Sequence, residues 1–296
     1  MEITLLGTGC PVVDIDRFGP AQLIRHGGTA VLVDCGSGVT QRLLAAGCPG
    51  RQIDALLLTH LHSDHIVDLF QLIISSWHQG RDRPQRVYGP PGTRAYVDGL
   101  MELWRPELEQ RIVHERRPST AALEVVVEEI AAGQTLRLGG LAVQVVPVDH
   151  RPVRHAFGFV FRGEAGPGPR IVLSGDTRRC EALIEAARGA ELLVHEVFIH
   201  REMPVVPGVR SAETLANVAG YHTLSEEVGK IATEAGVGCL ALTHLVPPGC
   251  DRRALLDEVA KDFAGPVVIG EDLMTLVPDT GRVYVRGAAL SLGAAR

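Results

Sequence analysis

The chain has 296 residues, a net charge of −6, 46% apolar side chains and only 4% aromatic ones. That length suits one α/β domain (1–296) with a sizeable core, the acidic balance argues against broad attraction to nucleic acid, and no apolar run nears the roughly twenty residues that cross a bilayer. The six cysteines show no tight pairing and no leader peptide is apparent, so reduced thiols in a cytoplasmic protein are expected.

In chain order, residues 3–6 read as a strand, and 21–24 with 30–33 as a hairpin through Gly27-Gly28. The glycine-rich turn Asp34-Cys35-Gly36-Ser37-Gly38 feeds a helix over 39–46. The apolar run 53–58 reads as a buried strand and 66–74 as an amphipathic helix. A short strand (86–88), the turn Gly89-Pro90-Pro91-Gly92 and a helix over 94–104 follow. Strands are expected at 123–130, 135–138, 142–148, 157–161 and 171–173, then a helix at 180–188 and a strand at 192–196. After a proline-rich loop (203–209), Thr223-Leu224-Ser225-Glu226 matches a capping box, and Gly236 stops the helix it opens. A strand (239–243), a helix (253–263), a strand (267–269) and a hairpin through 278–281 close the chain. Periodicity alone supports an α/β or α+β class.

The densest chemistry lies between the strand at 53–58 and the helix at 66–74. Thr59-His60-Leu61-His62-Ser63-Asp64-His65 packs His60, His62, Asp64 and His65 into six residues, on a loop at the carboxyl end of a strand. Imidazole and carboxylate suit zinc, manganese or iron, and a cluster this dense can reach two ions. A polar turn that happens to hold three histidines is the competing reading. Three more apolar strands end in ligand types: His150 in Val-Pro-Val-Asp-His, Asp176 in Leu-Ser-Gly-Asp-Thr, and His244 in Leu-Ala-Leu-Thr-His. Each histidine taken alone could be a satisfied core residue.

The His-x-His-x-Asp-His spacing, followed in order by His150, Asp176 and His244, resembles the metallo-β-lactamase superfamily. That resemblance implies a four-layer αββα sandwich with two divalent ions along one edge, zinc first, with manganese or iron as alternatives. His60, His62 and His150 would hold one ion, Asp64, His65 and His244 the other, and Asp176 would bridge them. Two ions roughly 3.5–4 Å apart lower the pKa of a water between them and clamp an ester's oxygens, so the attacking hydroxide forms without a side-chain nucleophile. Leu6-Gly7-Thr8-Gly9-Cys10-Pro11, the Asp34 turn, Gly175-Asp176-Thr177, His195-Glu196-Val197-Phe198 and His222-Thr223 are similar to segments of the ribonuclease Z-like branch. The branch implies a homodimer.

Within that branch the expected activity is hydrolysis of phosphodiester or sulfate esters of small anionic molecules. Ribonuclease Z-type tRNA 3′ processing is the alternative, and a non-catalytic sensor that kept the fold is the second. The basic arm that ribonuclease Z carries between the third ligand and the Gly-Asp-Thr segment is reduced here to one hairpin with a short turn, Gly163 to Pro169. Residues 14–20, 88–93 and 243–248 resemble the arylsulfatase-like group, and Ser63 stands where ribonuclease Z has glycine. Asp64, His222 and Glu196 are the expected catalytic residues. His222 would be a general acid, with Glu196 favouring its charged form. The bland reading of His222 is a solvent-facing residue at a helix start, whereas Glu196 in an apolar strand needs a partner. Arg151, Arg154 and His155 either touch an anionic substrate or are solvated. The arginines of 78–118 read as a solvated face or pocket lid ahead of a nucleic-acid patch. Trp77, Trp104 and Tyr221 belong to the core or line the pocket.

Overall fold

The computed structural model describes residues 1–166, 168–285 and 288–291. The chain opens with β1 (Glu2–Gly7), β2 (Ala21–His26), β3 (Thr29–Val33), α1 (Val39–Ala45), β4 (Ala55–Leu57), α2 (Ser63–Ile66), α3 (Leu69–His78), β5 (Gln85–Gly89), α4 (Thr93–Glu115) and β6 (Val125–Glu129). It continues through β7 (Thr135–Leu138), β8 (Leu141–Pro147), β9 (Phe157–Gly163), β10 (Ile171–Leu173), α5 (Glu181–Ala187), β11 (Leu192–Phe198), α6 (Ala212–Ala219), α7 (Ser225–Ala235) and β12 (Leu240–Val246). It ends with α8 (Arg252–Val259), β13 (Val267–Ile269), β14 (Met274–Val277), β15 (Arg282–Val285) and β16 (Ala288–Ser291).

These strands form a nine-stranded sheet, in the order β16-β15-β14-β1-β2-β3-β4-β5-β6, and a seven-stranded sheet, in the order β13-β12-β11-β10-β9-β8-β7. Each sheet has a parallel block, β3 to β6 and β10 to β13, so the carboxyl ends of those strands share one edge. The inner strands β3, β4 and β10 are apolar on both faces, as strands buried on both sides must be, whereas β6 at the margin buries only Val127. Val31, Val33, Leu57 and Val194 join Phe159 and Phe161 in the cluster between the sheets. Leu32 and Leu56 face α1 and α3 outside one sheet, and Leu193 and Leu242 face α5, α7 and α8 outside the other. That is the expected four-layer sandwich. No helix among the described residues is long and apolar enough to cross a membrane.

Several boundaries differ from expectation for local reasons. The strand expected at 53–58 is trimmed to β4 behind a 3-10 turn at Gly50–Gln52. The helix expected over 66–74 is two pieces. Asp68, between them, accepts from Gly38 N (2.9 Å) and donates its own N–H to Cys35 O (3.0 Å), which turns the chain. α4 runs past Trp104 and through Pro106, although proline leaves one helical bond unmade; buried Leu108 and the Arg111–Glu107 and Arg111–Glu115 pairs hold its distal half. The helix starts one residue later than expected and keeps only half of a capping box: Glu227 accepts from Leu224 N at 3.3 Å, while Thr223 Oγ1 donates to Thr177 O instead. α6 falls where no element is expected. Its half-buried Leu215, Val218 and Ala219 form a short apolar stripe that the sequence reading missed, and a further sign is Ser211, whose Oγ accepts from Thr214 N. β9 and β10 are joined by the expected short turn, of which Pro167 lies outside the described residues.

Candidate metal centre

β3 and β4 lie side by side in parallel register and end together, and Asp34 follows β3 directly. Its backbone sits at φ 59°, a left-handed conformation that aspartate tolerates better than most residues. The Asp34 carboxylate accepts from Thr59 N (2.8 Å), Thr59 Oγ1 (2.8 Å) and His65 Nδ1 (2.8 Å). One buried carboxylate thus ties down both ends of the ligand loop. His60 and His62 leave β4 on this loop, and Asp64 and His65 occupy the first turn of α2. Gly36 packs against its far side; a Cβ there would meet Asp64 O at 2.6 Å and Gly19 C at 2.5 Å, so only glycine fits.

The seven-stranded sheet delivers its residues one strand at a time. His150 follows β8, Asp176 follows β10, Glu196 lies in β11, and His222 stands just ahead of α7. The strand expected to end at Thr243 continues to Val246, and His244 is its extra residue. The register steps from Glu196↔Thr243 to Val197↔Leu245, which leaves His244 opposite nothing at φ 44°. Such a bulge re-aims one side chain without ending the strand. Here it turns His244 Nε2 to 3.3 Å from Asp64 Oδ2 and 3.4 Å from Asp176 Oδ2.

All seven expected ligands meet. One donor atom from each of His60, His62, His150 and Asp176 lies within 4.8 Å of the others, and Asp64, His65 and His244 form a second such set. Asp176 Oδ2 is between the sets, 3.4 Å from His65 Nε2, 3.8 Å from His60 Nε2 and 3.9 Å from His150 Nε2.

The imidazoles are set up to offer lone pairs. Asp34 takes the hydroxyl proton of Thr59, so Thr59 Oγ1 accepts from His60 Nδ1 (3.0 Å). His65 Nδ1 donates to the Asp34 carboxylate, and His150 Nδ1 donates to Tyr221 O (2.9 Å). In each ring Nε2 is then the atom aimed at the centre, and those of His60 and His65 are buried with no hydrogen-bond partner among the described residues. His62 Nδ1 lies 3.3 Å from His150 Nε2, close enough for the two rings to share one partner. This donor set fits two divalent ions of the zinc, manganese or iron class.

Electrostatics agree. Burial, with His65 beside it, holds His60 well below the imidazole range. Burial opposes charge on His65 as well, but the Asp176 and Asp34 carboxylates win and hold it well above that range. The titrating proton sits on Nε2, where a metal would replace it. Asp176 stays ionised despite complete burial because His244 and His65 flank it.

Beside the two sets, His222 Nδ1 donates to Glu196 Oε1 (2.8 Å), and the same oxygen accepts from Thr177 N (2.8 Å). Burial opposes charge on His222, yet Glu196 outweighs it and raises the imidazole to about 9. His222 is thus buried and paired, unlike the bland expectation for it, and Glu196 has the partner it needed. The Tyr221 ring lies 4.9 Å from His150 and 4.6 Å from His222. Trp77 is core, donating to Ser119 O, and Trp104 stacks on Phe70 away from the cluster. Arg151 is taken up by Asp149 (2.7 Å), and Arg154 and His155 are exposed. Sequence reasoning missed the orienting residue Asp34, although an apolar strand ending in a carboxylate is the same sign that marks Asp176.

A family model described as anti-Pycsar protein Apyc1 matches residues 1–207. Ribonuclease Z of Mycobacterium bovis is 39% identical over 281 residues, covering 92% of this chain and 96% of that protein. Ribonuclease Z of Mycolicibacterium gilvum is 41% identical over 281 residues, covering 92% and 94%. Among solved structures, the metallo-β-lactamase fold protein YhfI from Bacillus subtilis has a TM-score of 0.72 at 22% identity, covering 93% of this chain and 97% of that one. Human tRNase Z, short form, has a TM-score of 0.68 at 22% identity, covering 94% and 99%. At such identity these two structures speak for the fold alone.

Proposed function

This chain belongs to the ribonuclease Z-like branch of the metallo-β-lactamase superfamily, and from that premise we propose that it is a metal-dependent phosphodiesterase of the ribonuclease Z type, cutting precursor tRNA on its 3′ side. The observation that carries the chemistry is the convergence of two donor sets on Asp176 Oδ2 with His222 alongside. Relatives named ribonuclease Z, similar over nearly their whole length, support the choice of RNA. They favour this alternative over the expected preference for small esters. The short β9–β10 turn counts little against RNA, because the Mycobacterium bovis alignment leaves that relative no room for a long arm that this chain lacks.

In this reading His60, His62 and His150 would hold one ion, Asp64, His65 and His244 the other, with Asp176 within reach of both sets. When bound, the ions supply an activated water and offset charge on the phosphoryl oxygens. The rest is the work of side chains. Asp34, Thr59 and the Tyr221 carbonyl fix the ring orientations. Glu196 keeps His222 protonated at Nδ1, leaving its Nε2–H for the departing ribose oxygen, which is a poor leaving group without a proton.

Small phosphodiesters or sulfate esters are the second reading, kept because the family model over 1–207 carries a name other than ribonuclease Z. The deciding experiment presents the metal-loaded protein with a precursor tRNA, an aryl phosphodiester and an aryl sulfate, with His60→Ala as control. Cleavage at the tRNA 3′ side that vanishes in the variant is the expected result. Intact tRNA beside rapid aryl ester turnover would replace it with the second reading.

A further inference from the structure

The opposite edge of the sandwich carries a feature that the chemistry above does not use. β3 enters its sheet at Thr29 and reaches Asp34 on the metal side, so this edge lies about 16 Å from the cluster. Two adjoining hollows, about 700 and 540 Å³, run beneath the β2–β3 turn and share Gly27, Gly28, Thr29, Asp54 and Arg83. Their walls hold Arg25, Arg51, Arg81, Arg83, Arg86 and Arg137 against two carboxylates, Glu2 and Asp54, on a chain of net charge −6. From Val277 of β14 to Val126 of β6 the groove crosses seven neighbouring strands, about 29 Å at ordinary strand spacing.

Not all of this charge is neutralised. Arg25 pairs with Glu2, Arg83 with Asp54 and Arg137 with Glu164. Arg51 and Arg86 are exposed and make no ion pair among the described residues. Arg81 is 4% exposed, and its guanidinium donates to the carbonyls of Arg83 (3.0 Å), Arg51 (3.3 Å), Ile53 (2.7 Å) and Pro84 (2.7 Å). Carbonyls satisfy its N–H groups but do not cancel its charge, so a buried cation underlies the groove. The arginines expected to form a solvated face are split by the fold, and Arg81, Arg83 and Arg86 join three from distant segments.

We propose that this groove seats the phosphate backbone of RNA, holding the body of the substrate while its 3′ side is cut at the other edge. The inference rests on the RNA reading for its ligand. Guanidinium groups match phosphate geometry, and the length of the groove fits a chain of phosphates better than a single one. Among the described walls the only Phe, Tyr or Trp is Tyr88, 8% exposed, so no such ring is available to stack a base. Binding should therefore be indifferent to sequence.

The test titrates metal-loaded protein into labelled mature tRNA, which leaves nothing to cut, at several salt concentrations. Arg51→Ala/Arg86→Ala should bind on the order of tenfold more weakly, with the salt slope reduced by about two. Its KM for precursor tRNA should rise by the same factor. A control pair on the outer helices and their ends, Arg188→Ala/Arg253→Ala, should bind as wild type. Unchanged tRNA affinity and slope in the groove variant would overturn the proposal. Displacement of tRNA by AMP or polyglutamate at equal charge concentration would also overturn it, pointing to a small nucleotide or an acidic peptide. If tRNA binds through the groove but precursor stays uncut, the groove stands and the cutting reading falls. Cutting with an unchanged KM in the variant gives the reverse.

Discussion

The two sheets build the histidine and aspartate cluster in different ways. The nine-stranded sheet contributes four donors from one loop, His60 to His65, held by a single carboxylate, Asp34. The seven-stranded sheet contributes His150, Asp176 and His244 from three strands far apart in sequence, and one of them only through a bulge. A loop cassette can be shaped locally, whereas the other half exists only once β8, β10 and β12 are in register. The residue that joins the halves, Asp176, comes from the sheet that needs global assembly.

If that division is right, Asp176→Ala should do more damage than the loss of any one loop ligand. We expect activity to fall by more than about a thousandfold, with metal content dropping for both ions. His62→Ala should chiefly empty one position; equal metal loss in the two variants would break the comparison. Next in size, His222→Ala should slow RNA cleavage by about 10²–10⁴ while sparing an aryl phosphodiester, whose leaving group needs no proton. Equal losses on both substrates would rule out the proton-donor role.

The His222–Glu196 pair lies wholly in the seven-stranded half and should mark its pH response in chelator-treated protein. With His222 raised to about 9 from about 6.5, the pair's stabilisation is complete below about 6.5 and fades as pH rises through about 9. The span is on the order of 3 kcal/mol. Urea unfolding below about pH 6 and above about pH 10 should show that loss in wild type and a flatter response in His222→Asn. Smallest, Asp34→Asn should weaken metal binding about 10–100-fold by loosening His65, with the strands unchanged. An unaltered affinity would mean that the loop holds its shape without its carboxylate.

Most of the cluster is legible in the sequence, because each donor follows an apolar strand and the chemistry of imidazole and carboxylate is specific. What orients the donors is less so. Asp34 ends the run Val31-Leu32-Val33 as Asp176 ends Ile171-Val172-Leu173, but its partner Thr59 is 25 residues away and carries no pattern of its own. The bulge at His244 leaves no trace, since Leu245 and Val246 continue the apolar run on either register. The distal half of α4 is poorly legible because that exposed helix has no stripe to reveal it, and α6 because its stripe, Leu215, Val218 and Ala219, spans barely one turn. The groove is hidden for another reason. Its arginines alternate with acids along the chain, and only sheet assembly sorts them to one edge. The pairing of two sheets came from family resemblance, since periodicity cannot say which faces meet.

Glu196 Oε1 receives both the Thr177 amide, next to the shared carboxylate, and the His222 ring. The spacing between Asp176 and the proposed proton donor is therefore held by one side chain of β11, which ties the loop after β10 to the loop ahead of α7. Evolution can redraw the rim for a new substrate and keep the same stroke.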